Sequence, residues 1–144
     1  MGVAEAITGQ VLKVHEKIYV GSDGRVGHRM IGVPCLLLRT TGRRSGQTRT
    51  NALVYAEDGG EYLLVASNGG ADKAPGWLFN VRADPKVEIQ IGRERRPATA
   101  RIVQPGDPDY ERFWRVVNEH NHDRYSGYQK QTSRPIPVVA VRPD

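Results

Sequence analysis

Apolar residues recur at helical spacing in the first segment of the chain, where Ile7, Val11, Val14 and Ile18 share a stripe and Glu5, Lys13, Glu16 and Lys17 lie between them. The spacing predicts an amphipathic helix over Val3 to Val20, ended by Gly21-Ser22-Asp23-Gly24. After a glycine-bearing linker come two strand-like runs, Val33 to Thr41 and Thr50 to Ala56, and a third from Glu61 to Ser67. Short glycine-containing turns separate them, which predicts an antiparallel meander.

Ala74 to Ala83 returns to helical spacing, with Pro75 near its start, Trp77, Leu78 and Val81 along it, and Asp84-Pro85 as a stop. Val87 to Ile91 and Arg96 to Val103 alternate apolar and polar positions around a turn at Arg93-Glu94. Asp107 opens a second helix carrying Tyr110, Phe113, Trp114 and Val117, and Ile136 to Val141 is a closing apolar strand. The pattern is α+β, with a sheet of about six mostly antiparallel strands, an N-terminal helix and two or three short helices packed on it. A sheet of that size often curls into a barrel. Regular strand-helix alternation and a GxGxxG turn are both missing, which argues against nicotinamide binding on a doubly wound sheet.

At 144 residues the chain has room for one cored domain, with residues 1–32 as helix and linker and 33–144 as the barrel. The lone Cys35 sits in an apolar run, excludes an internal disulfide and is expected to be a small buried hydrophobe. No apolar run approaches the ~20 residues needed to span a bilayer, so a cytoplasmic protein with at most peripheral membrane contact is expected. Met1-Gly2 begins like a myristoylation signal, but Ala6 stands where Ser or Thr is required.

The 21 Lys+Arg against 16 Asp+Glu leave a formal charge of +5, which alone suits nucleic acid, anionic lipid or an acidic cofactor. Its distribution is more telling. Arg39, Arg43, Arg44 and Arg49 crowd one hairpin, around the stretch Thr40-Thr41-Gly42-Arg43-Arg44-Ser45-Gly46-Gln47-Thr48-Arg49, whereas the other cations are interspersed with acids. A second glycine-bearing stretch, Ala66-Ser67-Asn68-Gly69-Gly70-Ala71-Asp72-Lys73, follows with Trp77. Together they read as a cradle for a phosphorylated or polyacidic small molecule.

The chain is poor in reactive groups of its own. His15, His28, His120 and His122 lack metal-ligand spacing, Ser45 and Ser67 lack a nucleophile elbow, and Asp107, Asp109, Glu57 and Asp58 fit a helix start and a turn better than a catalytic pair. A protein so equipped borrows its chemistry from a cofactor.

Gly42-Arg43-Arg44-Ser45-Gly46-Gln47-Thr48-Arg49, Ala66 to Trp77, Asn80, Ala83-Asp84-Pro85 and Arg134-Pro135-Ile136-Pro137 resemble, in order and spacing, the deazaflavin-dependent nitroreductase family. The resemblance runs from Val33 to Asp144 and implies a split β-barrel that binds coenzyme F420. In reduced form that cofactor gives a hydride to an electron-poor acceptor, and its phosphate and oligoglutamate tail suit a basic turn.

By the same resemblance Arg43, Arg44, Ser45, Gln47 and Arg49 hold phosphate and tail, while Thr50, Asn51, Ala52, Leu53 and Val54 flank the ring. Val65, Ala66, Ser67, Asn68 and Gly69 contribute from the neighbouring strand, and Gly76, Trp77, Leu78, Phe79 and Asn80 form the next wall. Tyr125 and Tyr128 line the acceptor pocket, Tyr125 with Ser67 donating a hydrogen bond or proton. Asn68 departs from the lysine that many members carry. Val54 and His122 stand where the nitroimidazole-reducing branch tends to place tyrosine, which favours quinones, enones and coumarin-like lactones over nitroaromatic prodrugs. The rivals are a non-catalytic F420-binding or storage protein and a basic nucleic-acid-binding barrel. A small-molecule acceptor, no nucleic acid, and a monomer or homodimer are expected.

Overall fold

A computed structural model describes residues 29–30 and 33–144. The helix expected over residues 3–20 lies outside them. The strands are β1 (Arg29–Met30), β2 (Val33–Thr41), β3 (Thr48–Val54), β4 (Ala56–Asp58), β5 (Glu61–Val65), β6 (Lys86–Ile91), β7 (Glu94–Val103) and β8 (Val138–Pro143). The helices are α1 (Gly76–Ala83), α2 (Tyr110–His120) and α3 (Arg124–Gln129), and Asn68–Gly70 makes a single 3-10 turn. Six strands have five or more residues, as the periodicity predicts, and β1 and β4 are short additions of 2 and 3 residues. Among the described residues no helix is long and apolar enough to cross a membrane.

All pairings are antiparallel. The order is β1-β2-β6-β7-β8-β5-β4, with β3 also on β2. The expected meander of three runs therefore resolves into two hairpins. β3 pairs with β2 in the register Leu38↔Asn51, and β4 pairs with β5 in the register Ala56↔Leu63. Between β3 and β4 stands Tyr55, whose N–H donates to Pro34 O at 3.2 Å. One continuous stretch of chain thus joins the two ends of the sheet, and the sheet curls into a half-barrel.

Strand alternation explains the two cores. Leu36, Leu38, Leu64, Val139 and Val141 face the barrel interior, where α1 closes it with Trp77, Leu78 and Val81. Leu63, Val65, Val138 and Ala140 face the other side, covered by Phe113 and Val117 of α2 and Tyr125 of α3. β8 is buried on both faces, which is why it reads as an unbroken apolar run. Cys35 and Leu37 form a third small cluster with Ala52 and Val54, and Cys35 is buried as expected.

Candidate functional site

The arginine-rich turn is built from backbone bonds. Gly42 N–H donates to Gln47 O and Gly46 N–H to Gly42 O, both at 2.8 Å, and Gly46 takes a left-handed φ of 71°. Gly42 is required by space, because a Cβ there would lie 2.8 Å from Ser45 Oγ and 3.0 Å from Gln47 O. Gln47 serves the turn, donating its N–H to Ser45 Oγ at 3.1 Å.

Helix α1 fixes how the turn is presented. Asn80, buried on that helix, accepts at Oδ1 from the Arg43 backbone N–H (3.1 Å) and from Arg43 Nη1 (3.0 Å). Its Nδ2 donates to the buried Thr40 hydroxyl at 3.2 Å. Arg43 Nη1 also donates to Gly76 O at 3.4 Å, and its Cζ lies 5.0 Å from the Phe79 ring centroid. Arg44 and Arg49 are exposed, and their side chains make no hydrogen bond or ion pair among the described residues.

Between the turn and α1 lies a cleft of about 490 Å³, lined by Gly42, Arg43, Arg44, Ser45, Thr48, Arg49, Thr50, Asn51, Gly76, Trp77 and Asn80. Three arginines and no carboxylate line it, so an anion entering it meets uncompensated positive charge. A second cleft of about 360 Å³ involves Glu57, Glu61, Tyr62, Arg96 and Arg142. Its cations are already partnered, Arg142 with Glu61 and Arg96 with Glu94, each at 3.8 Å. The first cleft is the better anion site, and its donors fit a phosphate bearing a chain of carboxylates.

The structure therefore gathers Arg43, Arg44, Ser45, Arg49, Thr50, Asn51, Gly76, Trp77 and Asn80 around one cavity. It does not place the remaining sequence-predicted residues on that wall. Ala52 and Val54 pack on Cys35 and Leu37, while Leu53 packs against the barrel interior. Ala66 and Leu78 lie inside the barrel and Val65 on its other side, so the side chains of these three are core. Phe79 is half-buried beneath Arg43 and Arg82. Ser67 is buried two residues beyond the end of β5, Asn68 is exposed with Nδ2 donating to Lys73 O at 2.9 Å, and Gly69 follows in a left-handed turn.

Tyr125 and Tyr128 stand edge to face, with centroids 6.2 Å apart. Tyr125 is only 6% exposed and packs in the core beneath α2, while Tyr128 is half-buried at its margin. Burial raises the Tyr125 phenol far above the usual tyrosine range; a hydrogen bond from the Asn121 side chain opposes this only in part. The hydroxyl is thus held protonated and can donate a hydrogen bond. The buried Asn121 Oδ1 has no partner.

Thr40 and Thr48 belong to the cradle stretch read from the sequence, without individual roles, and Arg134 belongs to a matched motif without one. Thr48 faces the cleft from the turn's far side, Thr40 anchors Asn80, and Arg134 reaches the Ser67 loop. Only the long-range pairing of the chain brings Asn80 to Thr40 and Arg134 to Ser67.

Comparison with known proteins follows the same lines. The model of the F420H(2)-dependent quinone reductase family matches residues 11–143. The match extends into the segment before Val33 that the motif resemblance left out. An F420H(2)-dependent quinone reductase of Mycobacterium tuberculosis (strain ATCC 25618 / H37Rv) is 54% identical over 133 residues, covering 92% of this chain and 89% of its own. A solved F420-H2 dependent reductase is 40% identical with a TM-score of 0.67, covering 76% of this chain and 94% of that one. Another solved structure, described as a domain-swapped dimer, is 33% identical with a TM-score of 0.69 over 98% of this chain and 100% of its own.

Proposed function

This chain belongs to the F420H(2)-dependent quinone reductase family, and from that premise we propose how its residues serve hydride transfer from reduced coenzyme F420 to an electron-poor organic acceptor, a quinone foremost. One observation carries the site assignment: Arg44 and Arg49 stand unpartnered in a cleft without a carboxylate. When bound, reduced F420 supplies the hydride, and the protein supplies binding, orientation and proton handling.

Arg44 and Arg49 neutralise the phosphate and the first carboxylates of the tail, with Ser45, Thr48 and Gln47 adding polar contacts at the turn. Arg43 contributes the donors that Asn80 and Gly76 leave unused. Trp77, Thr50, Asn51 and Gly76 bound the path from the turn toward the ring, while Ala52, Leu53, Val54 and Phe79 support that wall from behind. The backbone of Val65, Ala66, Ser67, Asn68 and Gly69 meets the ring from the other side, where the core-facing side chains of Val65, Ala66 and Leu78 act only as support.

Tyr125, held protonated by burial, donates a hydrogen bond or proton toward the acceptor carbonyl together with the Ser67 hydroxyl, and Tyr128 covers the site's edge. With Tyr125 only 6% exposed, this role requires α3 to lift when acceptor enters. Enones and coumarin-like lactones share with quinones a conjugated carbon beside a polarised carbonyl and rank next. Nitroaromatics rank lower, given Val54 and His122. We favour a homodimer over a monomer, following the domain-swapped dimer among the similar structures.

The deciding experiment is a fluorescence titration of the protein with oxidised F420 at two salt concentrations, beside Arg44→Ala. Saturable binding weakened by the substitution supports the reading, and turnover of soluble quinones with reduced F420 extends it to catalysis. Absence of binding at high micromolar cofactor overturns it.

A further inference from the structure

We propose that Arg134 is a positioning residue for the reaction: from beneath the sheet end it sets the backbone of the Ser67 to Gly69 loop against which the cofactor and acceptor lie. The inference rests on the preceding reading that this loop is part of the site.

The geometry is a three-pronged clamp. Arg134 Nη2 donates to Ser67 O at 2.8 Å, Nε to Ala71 O at 2.9 Å and Nη1 to Ala66 O at 3.2 Å. Three carbonyls from separate peptides converge on one planar fork, an arrangement that guanidinium can serve and a lysine ammonium cannot match. With Arg134 drawing in these oxygens, the loop reverses through left-handed backbone at Asn68 (φ 47°), Gly69 (φ 65°) and Gly70 (φ 86°). Asn68 adopts that conformation at a cost, so something must hold it.

Arg134 is itself held. Gln129 on α3 donates Nε2 to Arg134 O at 2.8 Å and accepts the Ile136 N–H at 3.0 Å. Thr132 Oγ1 accepts the Arg134 N–H at 3.3 Å and donates to Asp72 Oδ1 at 2.7 Å. No carboxylate lies within ion-pair distance of the guanidinium among the described residues, and Asp72 acts on it only from farther off. The half-buried guanidinium gives up part of its hydration to brace the loop. Its return is that one group ties the Ser67 loop to α3, which carries Tyr125 and Tyr128. Gly70 completes the seam, with Tyr128 O 3.0 Å from where its Cβ would stand.

The test uses Arg134→Ala and Arg134→Lys, with thermal melting to confirm that each folds. In cofactor-free protein, amide exchange at Gly70 and Ala71, whose N–H groups bond Ser67 O and Asn68 O, rises roughly tenfold or more in Arg134→Ala while exchange at Phe113 is unchanged. With reduced F420 and menadione, kcat falls roughly 10- to 100-fold with a smaller change in KM, as a displaced reacting geometry demands. Added methylguanidinium restores part of kcat in Arg134→Ala, and Arg134→Lys falls between. Exchange, kcat and oxidised F420 affinity all within twofold of wild type overturn the proposal. So does a rise in exchange spread equally over Phe113 without methylguanidinium rescue, which marks a merely structural residue. If wild-type protein fails to bind F420, the preceding reading falls and takes this one with it, an outcome visible without any variant.

Discussion

Asn80 holds Arg43 twice through a single amide oxygen, which accepts the Arg43 backbone N–H at 3.1 Å and its Nη1 at 3.0 Å. Arg43 is thereby as much a brace as a ligand-facing cation. Its neighbours Arg44 and Arg49 carry the unspent charge. The turn and helix α1 form one unit, because the same amide also donates to Thr40 on β2.

Replacing Asn80 with alanine removes three hydrogen bonds and strands the Thr40 hydroxyl and Arg43 N–H. A loss of about 2 kcal/mol of stability is expected, in the range for leaving buried polar groups unsatisfied. Cofactor affinity should fall with it. Asn80→Asp keeps the acceptor for Arg43 while placing negative charge on the cleft wall, so it should weaken F420 binding more than it lowers stability. Urea denaturation and F420 titration of both variants separate the two effects.

Gly70→Ala tests the seam between the Ser67 loop and α3. The position has a φ of 86°, and a Cβ there would meet Tyr128 O and Gln131 Oε1 at 3.0 Å. Left-handed strain alone costs about 1–2 kcal/mol, and the backbone carbonyl cannot swing away as a side chain could. Gly69→Ala, with φ 65° and open space around it, should cost less. Equal losses in thermal melting would show that strain, and not contact with α3, dominates at Gly70.

Local pattern carried most of the elements. β2 falls on Val33–Thr41, where its apolar run ends at the glycine of the turn. β7 begins at Glu94, earlier than expected, because Glu94-Arg95-Arg96 is an exposed, charged start that offers no apolar alternation. The meander failed at Tyr55, where the chain leaves the β2 ladder for β5, and no local residue type announces that bend. The pairing of β5 with β8, as in Leu64↔Val139, spans about half the chain and is invisible to a window of residues.

The site divides in the same way. The arginine turn was legible because its glycines and cations are contiguous. That Asn80 braces Arg43 from 37 positions away, or that Arg134 clamps Ser67, depends on strand order. Tyr125 was assigned from motif matching, and its burial follows from α2 and α3 folding over the outer sheet face, which the helix's short and weakly apolar sequence does not reveal.

Stability should decline in alkali partly through Tyr110. Burial pushes its phenol up to about 12, against about 10 for an exposed tyrosine. As pH rises past 10 the unfolded chain releases this proton first while the folded state retains it, so the contribution is intact below pH 10 and is lost by about pH 12. Tyr125, also raised, acts in the same direction. Tyr110→Phe should flatten the decline in urea midpoint above pH 10. It should also lower the midpoint at every pH below that, since the 2.6 Å bond to Ile136 O is lost. An unaltered alkaline slope would remove Tyr110 from this account.

Arg44→Ala and Arg49→Ala should separate binding from folding. Neither guanidinium has a protein partner among the described residues, so each truncation should leave stability within about 0.5 kcal/mol of wild type. A charge-assisted contact to phosphate or carboxylate is worth about 1.5–3 kcal/mol, which predicts a loss of roughly 10- to 100-fold in F420 affinity for each. The loss should shrink as salt is raised, because screening weakens the same interaction in wild type. Arg39→Ala is the contrast: it breaks the 3.3 Å pair with Glu88 outside the cleft and should leave cofactor affinity alone. If Arg39→Ala weakened binding as much as Arg44→Ala, the effect would belong to net charge and not to this cleft.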